Sequence, residues 1–150
     1  MGTGMDECVF CEIVAGRVPA SVVYEDETAL AFMDIQPVNP GHLLIIPRQH
    51  ASLLADLHEA TGAHLFRIAM RMAEALRRSG IRCEGVNLFL ADGEAAFQEV
   101  FHVHLHVFPR FAGDPFKIEA DWSARPARAE LDAVAATIRG AYAALDEGGG

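Results

Sequence analysis

His102-Val103-His104-Leu105-His106-Val107-Phe108 is the stretch on which the reading of this chain turns. Apolar and imidazole side chains alternate along it, and with the flanking residues it predicts a strand from Phe101 to Arg110. Successive side chains of a strand point to opposite faces. His102, His104 and His106 therefore share one face with Phe108, while Val103, Leu105 and Val107 share the other. The aliphatic face has an evident task, which is to pack beneath helices. The histidine face has none in folding, because a plain polar residue would pair as well. Three of the chain's seven histidines at this spacing point to chemistry rather than to a solvated face.

A strand rises ~3.3 Å per residue, which separates His102 from His106 by ~13 Å. Imidazole nitrogens on one zinc sit ~2.1 Å from it, so at most two of the three can serve a single metal. The histidines must divide their roles. Nucleophilic catalysis suits such a division. One imidazole attacks near neutral pH, and a neighbour holds phosphate oxygens or moves protons.

Outward from this strand, the rest of the chain reads as a compact α+β domain. Val9 to Ala15 predicts a short helix closed by Gly16. Ser21 to Glu25 and Ala29 to Asp34 predict strands joined by the turn Asp26-Glu27-Thr28. Leu43-Leu44-Ile45-Ile46, ended by Pro47, reads as a central strand, and Gly85 to Ala91 as another. Leu57 to Ser79 predicts a long helix with Leu65, Ile68, Ala69, Met72 and Leu76 at helical spacing and Gly80 as its stop. Arg128 to Leu145 predicts a second, with Leu131, Val134, Ile138, Tyr142 and Leu145 on one stripe. Strands that succeed one another through short turns favour antiparallel pairing. The expected fold is about five antiparallel strands with two long helices and a short N-terminal helix. It forms a single domain over 1–150, ordered over about 8–145, with tails at 1–7 and 147–150.

The chain has 150 residues, of which 51% are hydrophobic and 22% charged, enough to bury a core in one domain. A formal net charge of -9 argues against binding of a nucleic acid polymer or an anionic membrane surface. A small phosphate ligand needs only a few local donors and is not excluded. No apolar run is long enough for a membrane span, and Met1 to Glu7 lacks the features of a signal peptide. A cytoplasmic protein with reduced thiols is expected. Cys8 and Cys11 form a CxxC pair and Cys83 stands alone. The pair has three readings: inert buried thiols, a redox couple, or half of a zinc site.

The run His102-Val103-His104-Leu105-His106-Val107 resembles the signature of the histidine triad (HIT) family. Further blocks resemble the family in the same order: Cys8-Val9-Phe10-Cys11-Glu12-Ile13-Val14, Ala31-Phe32-Met33-Asp34-Ile35, Pro40-Gly41-His42-Leu43-Leu44-Ile45-Ile46-Pro47 and Gln98-Glu99-Val100. The resemblance spans roughly residues 8 to 111. It implies a hydrolase acting at the α-phosphate of purine nucleotide conjugates, phosphoramidates or dinucleoside polyphosphates, through a covalent nucleotidyl-histidine. It implies His104 as nucleophile, His106 at the phosphate, and His42 orienting the nucleophile from behind. Asp34 would hold the ribose, and Val9, Phe10, Ile13, Phe32, Ile35 and Leu44 the base. Asn87 and Gln98 would bind the phosphate region, and Glu99 would lie beside the leaving group. It also implies a structural zinc on Cys8, Cys11, His50 and His102, and a homodimer in which Trp122 either approaches the partner's site or anchors a local core. Nucleotidyl transfer and a non-catalytic nucleotide-binding regulator are the alternative functions. Relatives of the transferring kind usually carry glutamine where His106 stands.

Overall fold

The computed structural model describes residues 8–148; the tail expected at 1–7 and the last two residues of the tail expected at 147–150 lie outside the described residues, and 147–148 belong to the C-terminal helix. The chain divides into two compact units, Met1–Phe116 and Lys117–Gly150. The first unit holds α1 (Val9–Val14), β1 (Val22–Glu25), β2 (Ala29–Met33), β3 (Leu43–Pro47), α2 (Glu59–Arg78), β4 (Gly85–Phe89) and β5 (Leu105–Arg110). Its strands form one antiparallel sheet in the order β1-β2-β3-β5-β4. The second unit is built on α3 (Arg128–Gly148). The α+β architecture is the expected one, with element ends moved by one to a few residues.

Both faces of the central strands are covered, and strand periodicity sorts their residues between them. Ala29 and Ala31 of β2, Leu43 and Ile45 of β3, and Leu105 and Val107 of β5 join the α2 stripe Leu65, Ile68, Ala69, Met72 and Leu76 in one buried cluster. Leu30 and Phe32 of β2 and Leu44 and Ile46 of β3 point the other way, where they pack with Cys8 and Phe10 at α1. A central strand buried on both sides has no polar face to show, which is why Leu43–Ile46 reads as an unbroken apolar run. Full burial of each such aliphatic side chain contributes roughly 1.5–3 kcal/mol.

Two expectations change. The strand predicted from Phe101 begins at Leu105. Beyond the pair Ile45–Leu105 the chain leaves the sheet to follow the loop after β3: the Val103 N–H donates to the Ala51 carbonyl at 2.8 Å, and the Pro47 carbonyl accepts from the His102 ring at 2.8 Å. Strand alternation thus holds for His106 and Phe108, while His102 sits in a bend and is fully buried. The apolar stripe of α3 is not a buried face. Leu131, Val134, Ile138, Tyr142 and Leu145 are all exposed, as is Trp122, so Trp122 anchors no local core. Helical periodicity reports a face that can be covered, not what covers it.

The turn before β3 fixes how the site is approached. Gly41 has a φ of 100°, which strains any residue but glycine, and a Cβ there would crowd the Leu76 and Pro109 side chains at 3.1 Å. Buried Asn39 secures the same turn by donating to the Pro109 carbonyl and to Asp114 Oδ2, both at 2.9 Å.

Candidate active site

His42, from the start of β3, and His104 and His106, from the start of β5, meet on the α1 side of the sheet. The His104 Nδ1 lies 2.8 Å from the His102 carbonyl. A carbonyl only accepts, so the proton of the neutral ring is on Nδ1 and the lone pair on Nε2. His42 is fixed in the opposite sense. The Val38 N–H donates to its Nδ1 at 3.1 Å, which leaves the His42 proton on Nε2. That Nε2 lies 2.9 Å from His106 Nδ1 and 3.5 Å from Asp34 Oδ2. With its Nδ1 accepting from His42, neutral His106 carries its proton on Nε2. His42 therefore stands behind His106, not behind His104 as the family pattern implies.

Burial keeps these rings neutral. It lowers His42 and His104 below the ordinary imidazole range, while the Asp34 carboxylate pulls both partly back. Burial, with the neighbouring His104 and His42, lowers His106 to about 4. The site near pH 7 thus offers an imidazole lone pair at His104 and an imidazole N–H at His106, with ring centroids 5.1 Å apart. Asp34, His42 and His106 also bring ligand atoms within 4.8 Å of one another. They make a poor metal set, because the Val38 N–H forces the His42 proton onto the Nε2 that would have to coordinate.

The histidines open into a cleft of about 460 Å³, within the range of small-ligand sites. Val9, Phe10, Ile13, Phe32, Asp34, Ile35, Leu44 and Glu99 all line it. Ile35 is 93% exposed and belongs to the mouth rather than to a buried slot. Asn87 and Gln98 are placed elsewhere. Asn87 Oδ1 accepts from Arg110 Nη1 at 2.6 Å, in a network with Asp114. Gln98 is buried, and its amide accepts from the Gly93 N–H and donates to the Ser52 and Val100 carbonyls. Both of its amide hydrogens are spent in holding the loop. Sequence reading missed Phe89, Phe97 and Phe108 in the cleft wall. Phe108 and Phe89 could have been found by strand periodicity, since Phe108 follows His106 by two and Phe89 pairs with His106.

A second cluster lies behind the first. Cys8 caps α1, accepting the Cys11 N–H on its sulfur at 3.4 Å. His102 Nδ1 is 3.4 Å from Cys8 Sγ, 3.6 Å from Cys11 Sγ and 3.2 Å from His50 Nδ1, and Cys11 Sγ is 3.3 Å from His50 Nδ1. A tetrahedron with Zn–S near 2.3 Å and Zn–N near 2.1 Å has edges of roughly 3.4–3.8 Å, so these separations fit one ion. The donor chemistry fits as well. His102 Nε2–H donates to the Pro47 carbonyl, which turns the Nδ1 lone pair into the cluster. Burial, with His50 and His104 nearby, lowers His102 to about 4, while its bond to the Pro47 carbonyl acts in the opposite direction. Burial and the adjacent Cys8 push the Cys11 thiol up to about 11, so a thiolate there needs a cation against it. Bound zinc would supply that charge and a closed four-ligand structural centre with no open position.

Comparison with known proteins converges on one group. Residues 15–113 match the HIT domain. A Streptococcus mutans crystal structure superposes with a TM-score of 0.85 and 39% identity, over 95% of this chain and 89% of that one. A Zn-bound histidine triad family protein from Mycobacterium smegmatis gives 0.73 and 43%, over 92% and 99%. An adenosine 5'-monophosphoramidase of Schizosaccharomyces pombe is 32% identical over 119 residues, 79% of this chain and 85% of that protein. With the triad, the sheet that carries it and these likenesses in agreement, the chain belongs to the HIT family.

Proposed function

We propose that this protein hydrolyses purine nucleotide conjugates at the α-phosphorus through a nucleotidyl group carried on His104. One observation bears most of the weight. The His102 carbonyl holds the His104 proton on Nδ1, which leaves the Nε2 lone pair for the cleft. In the first step Nε2 bonds to phosphorus, and the bond to the leaving atom breaks with its electron pair going to that atom. His106 Nε2–H donates a hydrogen bond to the departing atom, which takes its proton from solvent water, while the His104 Nδ1–H, now part of a cation, is stabilised by the carbonyl it faces. In the second step water attacks phosphorus, gives its proton to solvent and frees His104 as a neutral ring. The sum is substrate plus water giving nucleoside monophosphate and protonated leaving group. Splitting one displacement into two lowers each barrier.

Asp34 at the rim offers two acceptor oxygens to a ribose cis-diol, and the Val9–Phe10–Ile13 side offers an apolar slot to the base. The phosphoramidase activity named for the Schizosaccharomyces pombe relative supports the reaction type. We also infer that Cys8, Cys11, His50 and His102 hold one structural zinc, as the Zn-bound mycobacterial relative favours. The active unit is proposed to be a homodimer packed through the outer face of α2, where Phe66 and Met70 are exposed. Release of AMP from adenosine 5'-phosphoramidate tests the reaction. Wild type turns it over, and His104→Ala lowers kcat by about three orders of magnitude or more. Near wild-type turnover by His104→Ala would rule the mechanism out.

A further inference from the structure

Phe97 is held where a phenylalanine is disfavoured, and it is not compensated by burial. Among the described residues it alone, glycines aside, has a positive φ, with φ 71° and ψ 27°. In that region the Cβ of an L-residue crowds its following carbonyl. An aromatic ring normally repays its place by leaving water, yet Phe97 is 83% exposed. The surroundings over-determine the conformation. The Phe97 N–H donates to the Glu94 carbonyl at 2.9 Å, and the Gln98 N–H to the Gly93 carbonyl at 3.1 Å. The buried Gln98 amide closes the same loop on Gly93, Ser52 and Val100. Strain maintained by a rigid frame at the mouth of a cleft is the pattern of a functional position.

The position of the ring indicates what it meets. Phe10 packs with Phe32 and Leu44 over β2 and β3, an apolar wall suited to a nucleoside. Phe89 lies on β4, beyond β5 in the sheet, and Phe89, Ala91, Phe97 and Glu99 line the same cleft. Phe89 lies edge-on to His106, with centroids 5.8 Å apart, and His106 is the group that faces the departing atom. The leaving group therefore exits over the Phe89–Phe97 side. We propose that Phe97 is a specificity-determining residue, its exposed ring stacking on a planar ring carried by the leaving group. This deepens the hydrolytic reading above and rests on it. The ring can belong to an aromatic amine or to a second nucleoside, since both present a π-face of suitable size.

The test compares two adenosine 5'-phosphoramidates of similar leaving-group basicity, one of phenethylamine and one of propylamine. In wild type the ring-bearing substrate is expected to have a kcat/KM about tenfold higher, and in Phe97→Gly the ratio falls to near one. Phe97→Trp keeps the preference. Glycine is at ease at this φ, so Phe97→Gly should melt no lower than wild type, and a lost preference is then not a lost fold. The same pairs of enzymes are titrated with non-hydrolysable methylene analogues of the two amides. If wild type cleaves neither amide, the hydrolytic reading fails while the affinity ratio still decides the role of Phe97. Diadenosine tetraphosphate against adenosine tetraphosphate shows whether a second nucleoside is the preferred ring. A ring preference that is absent in wild type, or that survives Phe97→Gly unchanged, would overturn the proposal.

Discussion

His106 shows how one buried side chain links stability to pH. Its imidazole is lowered from 6.5 to about 4 chiefly by burial. Between these values the unfolded chain binds a proton that the native site refuses. Stability is therefore full above pH 6.5 and is lost as pH falls toward 4, at up to ~1.4 kcal/mol per pH unit for such a group. His106→Gln removes the titration, and urea melts from pH 4 to 7 should show a shallower fall for the variant than for wild type. Equal slopes would show that the native ring titrates as it does in water. The roles of the three histidines were partly legible in sequence, because distance along the segment already forbade a common ligand. The tautomers were not, since they depend on which carbonyl or N–H lies against each ring. Asn87 and Gln98 were misplaced for a similar reason. An amide serves a ligand or a loop equally well, and only the fold supplied Arg110 to one and Gly93, Ser52 and Val100 to the other. Nothing in the sequence marks Phe97 as left-handed.

The elements were legible where periodicity is strong. The α2 stripe fell on the buried face residue by residue, and Leu43–Ile46 was recognised as central because both its faces are covered. The start of β5 was not, because leaving the sheet at His104 depends on the path of the distant loop 48–52. That departure has a consequence for the metal cluster. It lets His102 turn toward α1 while its carbonyl holds His104, so the cluster joins the N-terminal helix to the nucleophile's own segment. Metal-replete protein is expected to contain about one zinc per chain by elemental analysis. Cys11→Ala should lose it and melt lower by roughly 4–8 °C, equivalent to about 2 kcal/mol for a chain of this size. Zinc retained in the variant, or an unchanged Tm, would remove the metal from the fold's support.

At the scale of the whole molecule, the acidic balance suits a protein that admits a small phosphate ligand through local N–H groups rather than through a basic surface. No helix among the described residues is long and apolar enough to cross a membrane. The exposed Phe66 and Met70 on α2 are the residues on which the proposed dimer depends. Light scattering is expected to give twice the 16.2 kDa of one chain, and Phe66→Glu with Met70→Glu to halve it. A wild type that stays at one chain's mass at micromolar concentration would dismiss the dimer without touching the chemistry. The chemistry itself is tested most directly by intact mass spectrometry of protein mixed with adenosine 5'-phosphoramidate and quenched in base, under which a nucleotidyl-imidazole persists. The expected result is a gain of one adenylyl group, mapped to the peptide at His104 and absent from His104→Ala; an adduct on another residue, or one that persists in His104→Ala, would contradict it.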